Sequence, residues 1–233
     1  MTRKFLLLIL LTLLAVLAAT PASAYVFWQD CRGGVRWNNN DVTWRPSLVS
    51  FPSGGPWYQS IDASRVAWNS FTPGANYRIN YIWDTNTSYS NTDGRNSILT
   101  PAVWPEDSGY LAVTYPRRSM CYAWPGPDAN WVEMDIIFNG NKAWENSLNP
   151  VAPNFSPYNV ALVAIHEHGH GFGLTHENDQ PATMNATYPN AGPIGNPNYI
   201  HPHADDARGN RALYGTAATQ RDVAAFKYRL RNP

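Results

Sequence analysis

An α+β fold is the class this sequence predicts, and three observations carry it. Runs rich in β-branched and aromatic residues recur between Val35 and Phe138, each bounded by turn-forming residues. One apolar run, Asn159-Val160-Ala161-Leu162-Val163-Ala164-Ile165, can be a buried helix leading into His166. A loop-rich segment full of Asn and Pro then separates it from a last helical stretch. Strands grouped mainly before position 139 and helical stretches mainly after it fit that class.

Val35-Arg36-Trp37 and Asp41-Val42-Thr43-Trp44 read as a first strand pair around Asn38-Asn39-Asn40. Ser60 to Ser70 reads as an amphipathic helix offering Ile61, Val66 and Trp68 to a core. Tyr77 to Trp83 alternates as a strand does, and Asp84 to Asn96 is a polar surface loop. Leu111 to Tyr115 and Trp131 to Phe138 are two more strands. The apolar run after Pro157 starts a buried helix, since proline suits the first helical turn. Asp205 to Tyr214 reads as a short helix.

The buried helix leads into His166-Glu167-His168-Gly169-His170-Gly171-Phe172-Gly173-Leu174-Thr175-His176. His166 and His170 are four residues apart and so share one helix face. Gly173 can take the positive φ at which a helix ends and the chain turns back, which brings His176 to the same place. Three histidines with room for a water are the ligand set of a catalytic zinc. Glu167 sits about 100° round the helix from His166, beside the metal-bound water without being a ligand. His168 lies about 200° round and faces away, as a structural residue. His201 and His203 are read as solvent-facing.

Arg3 and Lys4, the apolar stretch Phe5 to Ala19 and the small-residue end Ala22-Ser23-Ala24 make residues 1–24 a secretory signal peptide. No other stretch reaches the ~20 apolar residues of a membrane span, so no membrane anchor is expected. Without Arg3 and Lys4 the chain carries 15 basic and 17 acidic residues, a balance that excludes nucleic acid as a general partner. Cys31 and Cys121 are expected to form a disulfide in an exported protein. The other reading makes Cys31 a thiolate that caps the zinc and keeps it latent. The 10 tryptophans and 13 tyrosines are read first as core, and second as a stacking surface for sugar or peptide.

The His166–His176 motif is the H-E-x-x-H-x-x-G-x-x-H pattern of the metzincin zinc peptidases. Further motifs resemble the matrixins among them. Asp205 to Gly215 is similar to that family's last helix, Ala182 to Tyr188 looks like its Met-turn with Met184 and Tyr188 in register, and Gly109 to Pro116 resembles its substrate-binding strand. The resemblance covers about Val35 to Gly215. It implies a metzincin zincin fold, with a twisted mixed β-sheet, an active-site helix and a small loop-rich C-terminal subdomain. The expected organisation is a catalytic domain at 25–215, its upper part about 25–173 and its lower part about 174–215. A basic tail at 216–233, helical in its apolar spacing, follows.

The resemblance also implies site roles: zinc on His166, His170 and His176, Glu167 as the catalytic base, and Met184 as a floor beneath the metal. Leu111, Ala112, Leu162 and Tyr188 would bind substrate, and Asp205 and Asp206 would tie the last helix to the site. One Zn2+ is expected. The six histidines all lie at or after 166, and Val113 and Ile137 stand where the family holds a second, structural zinc. Asn139-Gly140-Asn141-Lys142 replaces the family's acidic calcium loop, so structural calcium is not expected there. A propeptide and a propeller domain are likewise not expected. The implied function is a secreted, monomeric zinc endopeptidase that acts on protein or peptide substrates of the extracellular or periplasmic space, hydrolysing them by a Glu-assisted zinc-bound water. Two alternatives stand beside it: a non-catalytic metzincin-fold or Trp-rich glycan-binding protein, and a zinc amidase acting on cell-wall peptides.

Overall fold

The computed structural model describes residues 27–28, 35–38, 41–71, 77–90, 92–119, 130–148, 157–178, 182–186 and 201–214. The segment 1–24, Cys31, Cys121, Tyr188 and the tail 216–233 lie outside these residues. The described elements are strand β1 (Asp41–Pro46), helix α1 (Pro56–Phe71), strands β2 (Arg78–Tyr81), β3 (Ser97–Leu99), β4 (Ala112–Arg118), β5 (Trp131–Phe138), β6 (Trp144–Glu145) and β7 (Tyr158–Asn159), and helices α2 (Val160–Phe172) and α3 (Ala204–Tyr214).

Among the described residues the main sheet has five strands in the order β2-β1-β3-β5-β4. β1 runs parallel to β2 and β3, β3 runs parallel to β5, and only β4 is antiparallel, pairing Thr114 with Ile136. This is the mixed sheet with helices expected of an α+β fold. β4 closes the order and so presents a free edge on the described sheet. A small parallel pair, β6 and β7, sits beside the start of α2.

Several element boundaries differ from the sequence reading. Val35–Trp37 is not a strand; Arg36 makes one isolated bridge, to Asn130. α1 begins at Pro56, four residues before Ser60, because a proline is accommodated at the first helical position. Ile61 and Trp68 are fully buried, but Val66 is 45% exposed. The buried stripe runs through Ile61, Ser64 and Trp68, and Val66 falls off it. The reading of Tyr77–Trp83 shortens to Arg78–Tyr81, while Leu111–Tyr115 becomes Ala112–Arg118. β3 was not anticipated. It is three residues long, too short to show a period, yet Ser97, Ile98 and Leu99 are all fully buried at the centre of the sheet.

The core lies between the sheet and the two packed helices α1 and α2. Trp44, Ile61, Trp68, Ile98, Ile136, Phe138, Ile165 and Phe172 fill it. Tryptophans are mainly structural here: Trp37, Trp44, Trp68 and Trp131 are buried, and Trp57 stacks on Phe51 at 5.6 Å and meets Trp144 edge-on at 5.4 Å. None of the described helices is long and apolar enough to cross a membrane.

Candidate metal centre and active site

α2 is held at both ends. Asn159, with extended φ −83° and ψ 119°, caps its start by accepting the Leu162 N–H at 3.0 Å. The Asn159 amide itself bonds Glu145 and the Ser147 carbonyl, which fixes the cap to β6. At the other end Gly173 has φ 110°, and the N–H groups of Gly173 and Leu174 return to the carbonyls of His170 and Gly169 in a Schellman closure. The last carbonyls of a helix lack partners within it. Here Gly171 receives the Trp37 indole N–H at 2.8 Å, Phe172 the Tyr214 hydroxyl at 2.5 Å, and Gly173 the Trp28 N–H at 2.9 Å.

The reversal after Gly173 brings His176 back over the helix. Its Nε2 stands 3.3 Å from Nε2 of His166 and 3.2 Å from Nε2 of His170. The three ligand atoms lie within 4.8 Å of one another and could hold a metal ion. Nitrogens each ~2.0–2.1 Å from a tetrahedral zinc stand ~3.3–3.4 Å apart, so this spacing fits zinc. The outward nitrogens fit too. His166 Nδ1 is 2.8 Å from the Thr183 carbonyl and His170 Nδ1 is 2.9 Å from the Leu174 carbonyl. A carbonyl can only accept, so each Nδ1 carries the proton and each Nε2 points a lone pair inward. Burial lowers all three pKa values, that of His166 to about 4, which keeps the imidazoles neutral and ligand-ready.

Glu167 follows His166 on α2 and is 5% exposed. Burial pushes its carboxyl up to about 7, opposed by a hydrogen bond donated by Thr114 Oγ1 to Oε2 at 2.6 Å. His168 does face away. Its Nδ1 donates to the Ala164 carbonyl at 2.6 Å, its Nε2 accepts from the Tyr81 hydroxyl at 2.8 Å, and its ring packs on Trp44.

The Met-turn segment packs beneath the helix. A Cβ built on Gly169 would fall 2.1 Å from Met184 Sδ, so the absence of a side chain at Gly169 lets the methionine approach. Asp206 holds that segment from α3. Its carboxylate accepts the N–H groups of Thr183 at 2.7 Å, Met184 at 3.2 Å and His203 at 3.0 Å. Asp205 instead pairs with Arg208 at 2.7 Å. His201 and His203 are not solvent-facing: His201 is 8% exposed and His203 is half-buried, because the Asp206 bond draws the start of α3 under the Met-turn.

Leu162 is half-buried on α2, Ala112 is buried on β4, and Leu111 precedes that strand, its carbonyl accepting the Asn139 N–H. Asn139 Oδ1 in turn accepts the Asn141 N–H at 3.0 Å, closing a local turn. Sequence reasoning missed the Thr114 hydroxyl on Glu167 and the two backbone carbonyls that orient the histidines. Carbonyls leave no sequence signal. Thr114 leaves a weak one, since it shares a strand face with Ala112.

Residues 62–215 match the family model described as Matrixin. The chain is 30% identical over 190 residues to human (Homo sapiens) matrix metalloproteinase-20, covering 78% of this chain and 33% of the relative. It is 26% identical over 196 residues to stromelysin-1 of Mus musculus, covering 82% and 35%. To the macrophage metalloelastase of Oryctolagus cuniculus it is 40% identical over 91 residues, covering 39% and 17%. The chain thus spans about a third of the length of the first two of these curated relatives. With the family match reaching across the histidine cluster, the Met-turn segment and the last helix, this chain belongs to the matrixin family of metzincin peptidases.

Proposed function

We propose that the chain is an exported zinc-dependent endopeptidase in which His166, His170 and His176 hold one zinc ion and Glu167 is the catalytic base. The observation that carries this reading is the convergence of the three imidazoles, with His176 Nε2 3.2–3.3 Å from Nε2 of His166 and His170, and a buried Glu167 next to His166 on the same helix. Zinc bound there would lower the pKa of a water to about 7 and polarise the scissile carbonyl. Glu167 accepts the proton of the attacking water and hands it to the leaving amine, a role worth about 10²–10⁴-fold in rate.

A peptide would dock extended along the free edge of β4, adding a strand from Leu111 onward. The side chain after the scissile bond would enter beside Leu162, toward the segment that starts at Ala186. No charge stands at these positions, so a charged side chain would lose water without a partner. Apolar residues are therefore the preferred ones, and a methylene more or less alters discrimination by only about 1–3 kcal/mol. Export rests on the apolar segment Phe5 to Ala19 and the small residues Ala22-Ser23-Ala24. Met184, packed against Gly169, would form a floor below the ligands, and Cys31 with Cys121 would close a disulfide.

The test is digestion of casein or gelatin by the purified protein. Activity should vanish with a zinc chelator and return with added zinc. Glu167→Ala should bind one zinc per chain and lose about 10²–10⁴-fold in activity. Digestion indifferent to chelation, or near-normal activity in Glu167→Ala, would overturn the reading.

A further inference from the structure

Thr114 lies 53 residues before Glu167, on β4, and its hydroxyl reaches both the carboxylate and the backbone carbonyl of that residue. A hydroxyl has one proton to give. The contact to Oε2 is 2.6 Å and that to the carbonyl is 3.2 Å. The shorter one has the length of a charge-assisted O–H···O⁻ bond, so the proton goes to the carboxylate. Threonine is stiff at χ1, and β4 is locked to β5 by pairing on both sides of the position, Val113 with Ile137 and Tyr115 with Asp135. The hydroxyl is therefore set by the sheet, not by the helix that carries Glu167.

A glutamate side chain has three rotatable bonds, and α2 alone does not fix where its oxygens point. We propose that Thr114 is the positioning residue for the base. It pins Oε2 and leaves Oε1 to take the proton of the attacking water. This rests on the reading of Glu167 as the base. Thr114 belongs to the strand on whose edge the peptide would dock, so the substrate and the carboxylate are referenced to one rigid element. The valine isostere at 114 fills the same space and cannot donate. The serine at 114 donates but packs less well.

The experiment compares Thr114→Val, Thr114→Ser and Glu167→Gln in the zinc-loaded enzyme with a quenched peptide. Thr114→Val should lose roughly 10- to 100-fold in kcat, the scale of a hydrogen bond to a charged group, with KM within about twofold. Thr114→Ser should recover most of that loss. In zinc-free protein labelled with 13C at glutamate carboxyls, the signal that disappears in Glu167→Gln should move in Thr114→Val and stay in Thr114→Ser. Unchanged kcat in Thr114→Val while Glu167→Gln is inactive overturns the role of Thr114 alone. An active Glu167→Gln overturns the base itself. Equal losses in the serine and valine variants, or a loss confined to KM, show a packing role and also overturn it. Should the valine variant fail to fold, Thr114→Ala read against Thr114→Ser carries the same comparison.

Discussion

His166 and His170 stand on a helix, whereas His176 and Met184 stand on chain that has left the helix. The two supports are built differently. The helix side is fixed first by regular backbone bonds, an Asn159 cap and the Gly173 closure within a short stretch of sequence, with Trp28, Trp37 and Tyr214 only finishing its last carbonyls. The loop side is fixed by a side chain from elsewhere: Asp206 takes the Thr183 and Met184 N–H groups from over twenty residues away. Thr183 is where the two supports meet, because its N–H is held by Asp206 while its carbonyl orients His166. A local support tolerates changes at a distance, and a remote one does not. The loop side is thus where single substitutions should cost most.

Asp206→Ala gives the largest expected effect. It strands the Thr183 and Met184 N–H groups, each costing ~1–3 kcal/mol when left without a partner, while the His203 N–H keeps Thr183 Oγ1 at 3.0 Å. With some relaxation the loss of stability should be about 2–4 kcal/mol in urea unfolding. Because the Thr183 carbonyl moves with its N–H, zinc affinity should fall as well. A loss under ~1 kcal/mol would show that the loop side does not depend on Asp206.

Gly173→Ala strikes the joint between the two supports. Alanine at φ 110° is strained, and its Cβ would lie 2.5 Å from the Val35 carbonyl oxygen. The left-handed conformation alone costs ~1–2 kcal/mol, and the backbone neighbour must shift, so about 2–3 kcal/mol is expected. Amide exchange at Leu174 should speed up with it, since that N–H closes the helix end. Protected exchange at Leu174 in the variant would place the joint elsewhere.

The same contrast explains what could be read from the sequence. The helix side was legible: four-residue spacing places His166 and His170 together, an apolar run precedes them, and a glycine ends them. Trp131–Phe138 was legible to the residue because Trp131, Val132, Ile136, Ile137 and Phe138, five strand formers, bracket it. β3 was not, because Ser97–Leu99 is set by burial between two strands rather than by its own pattern. The burial of His201 and His203 was invisible for a similar reason: it follows from the Asp206 bond to the His203 N–H, a contact between a side chain and a backbone group that no periodicity encodes. The aspartate pair was recognisable only through resemblance to relatives, which told that it mattered but not which of the two held the Met-turn.

Tyr81→Phe sharpens the comparison from behind the helix. The phenol hydroxyl donates to His168 Nε2 at 2.8 Å in a buried setting, and its removal leaves that nitrogen unpaired. About 1–2 kcal/mol of stability should go, while kcat and zinc content stay near normal, because the back of α2 is held independently by Trp44 packing and the Ala164 bond. A large fall in kcat at unchanged stability would mean that the back face reaches the chemistry.

The smallest effect concerns pH and the loop side. Burial lowers His203 to about 4, the neighbouring His201 adds to this, and Asp205 opposes it. An unfolded histidine titrates near 6.5. The unfolded chain therefore binds more protons between these values, and stability rises with pH across the window. The contribution is fully present above about 6.5 and is lost as pH falls toward 4. His203 is only half-buried, so water offsets part of the shift, and a change of roughly 1 kcal/mol between pH 6.5 and 5 is a fair expectation. His203→Gln, compared with the unmodified protein by urea unfolding at both values, should flatten the slope by that amount. Asp206 still holds the backbone N–H at 203 in this variant, so its stability at pH 7 should barely move. An identical slope in both proteins would assign the acid sensitivity of this region to His201 or to the helix histidines instead.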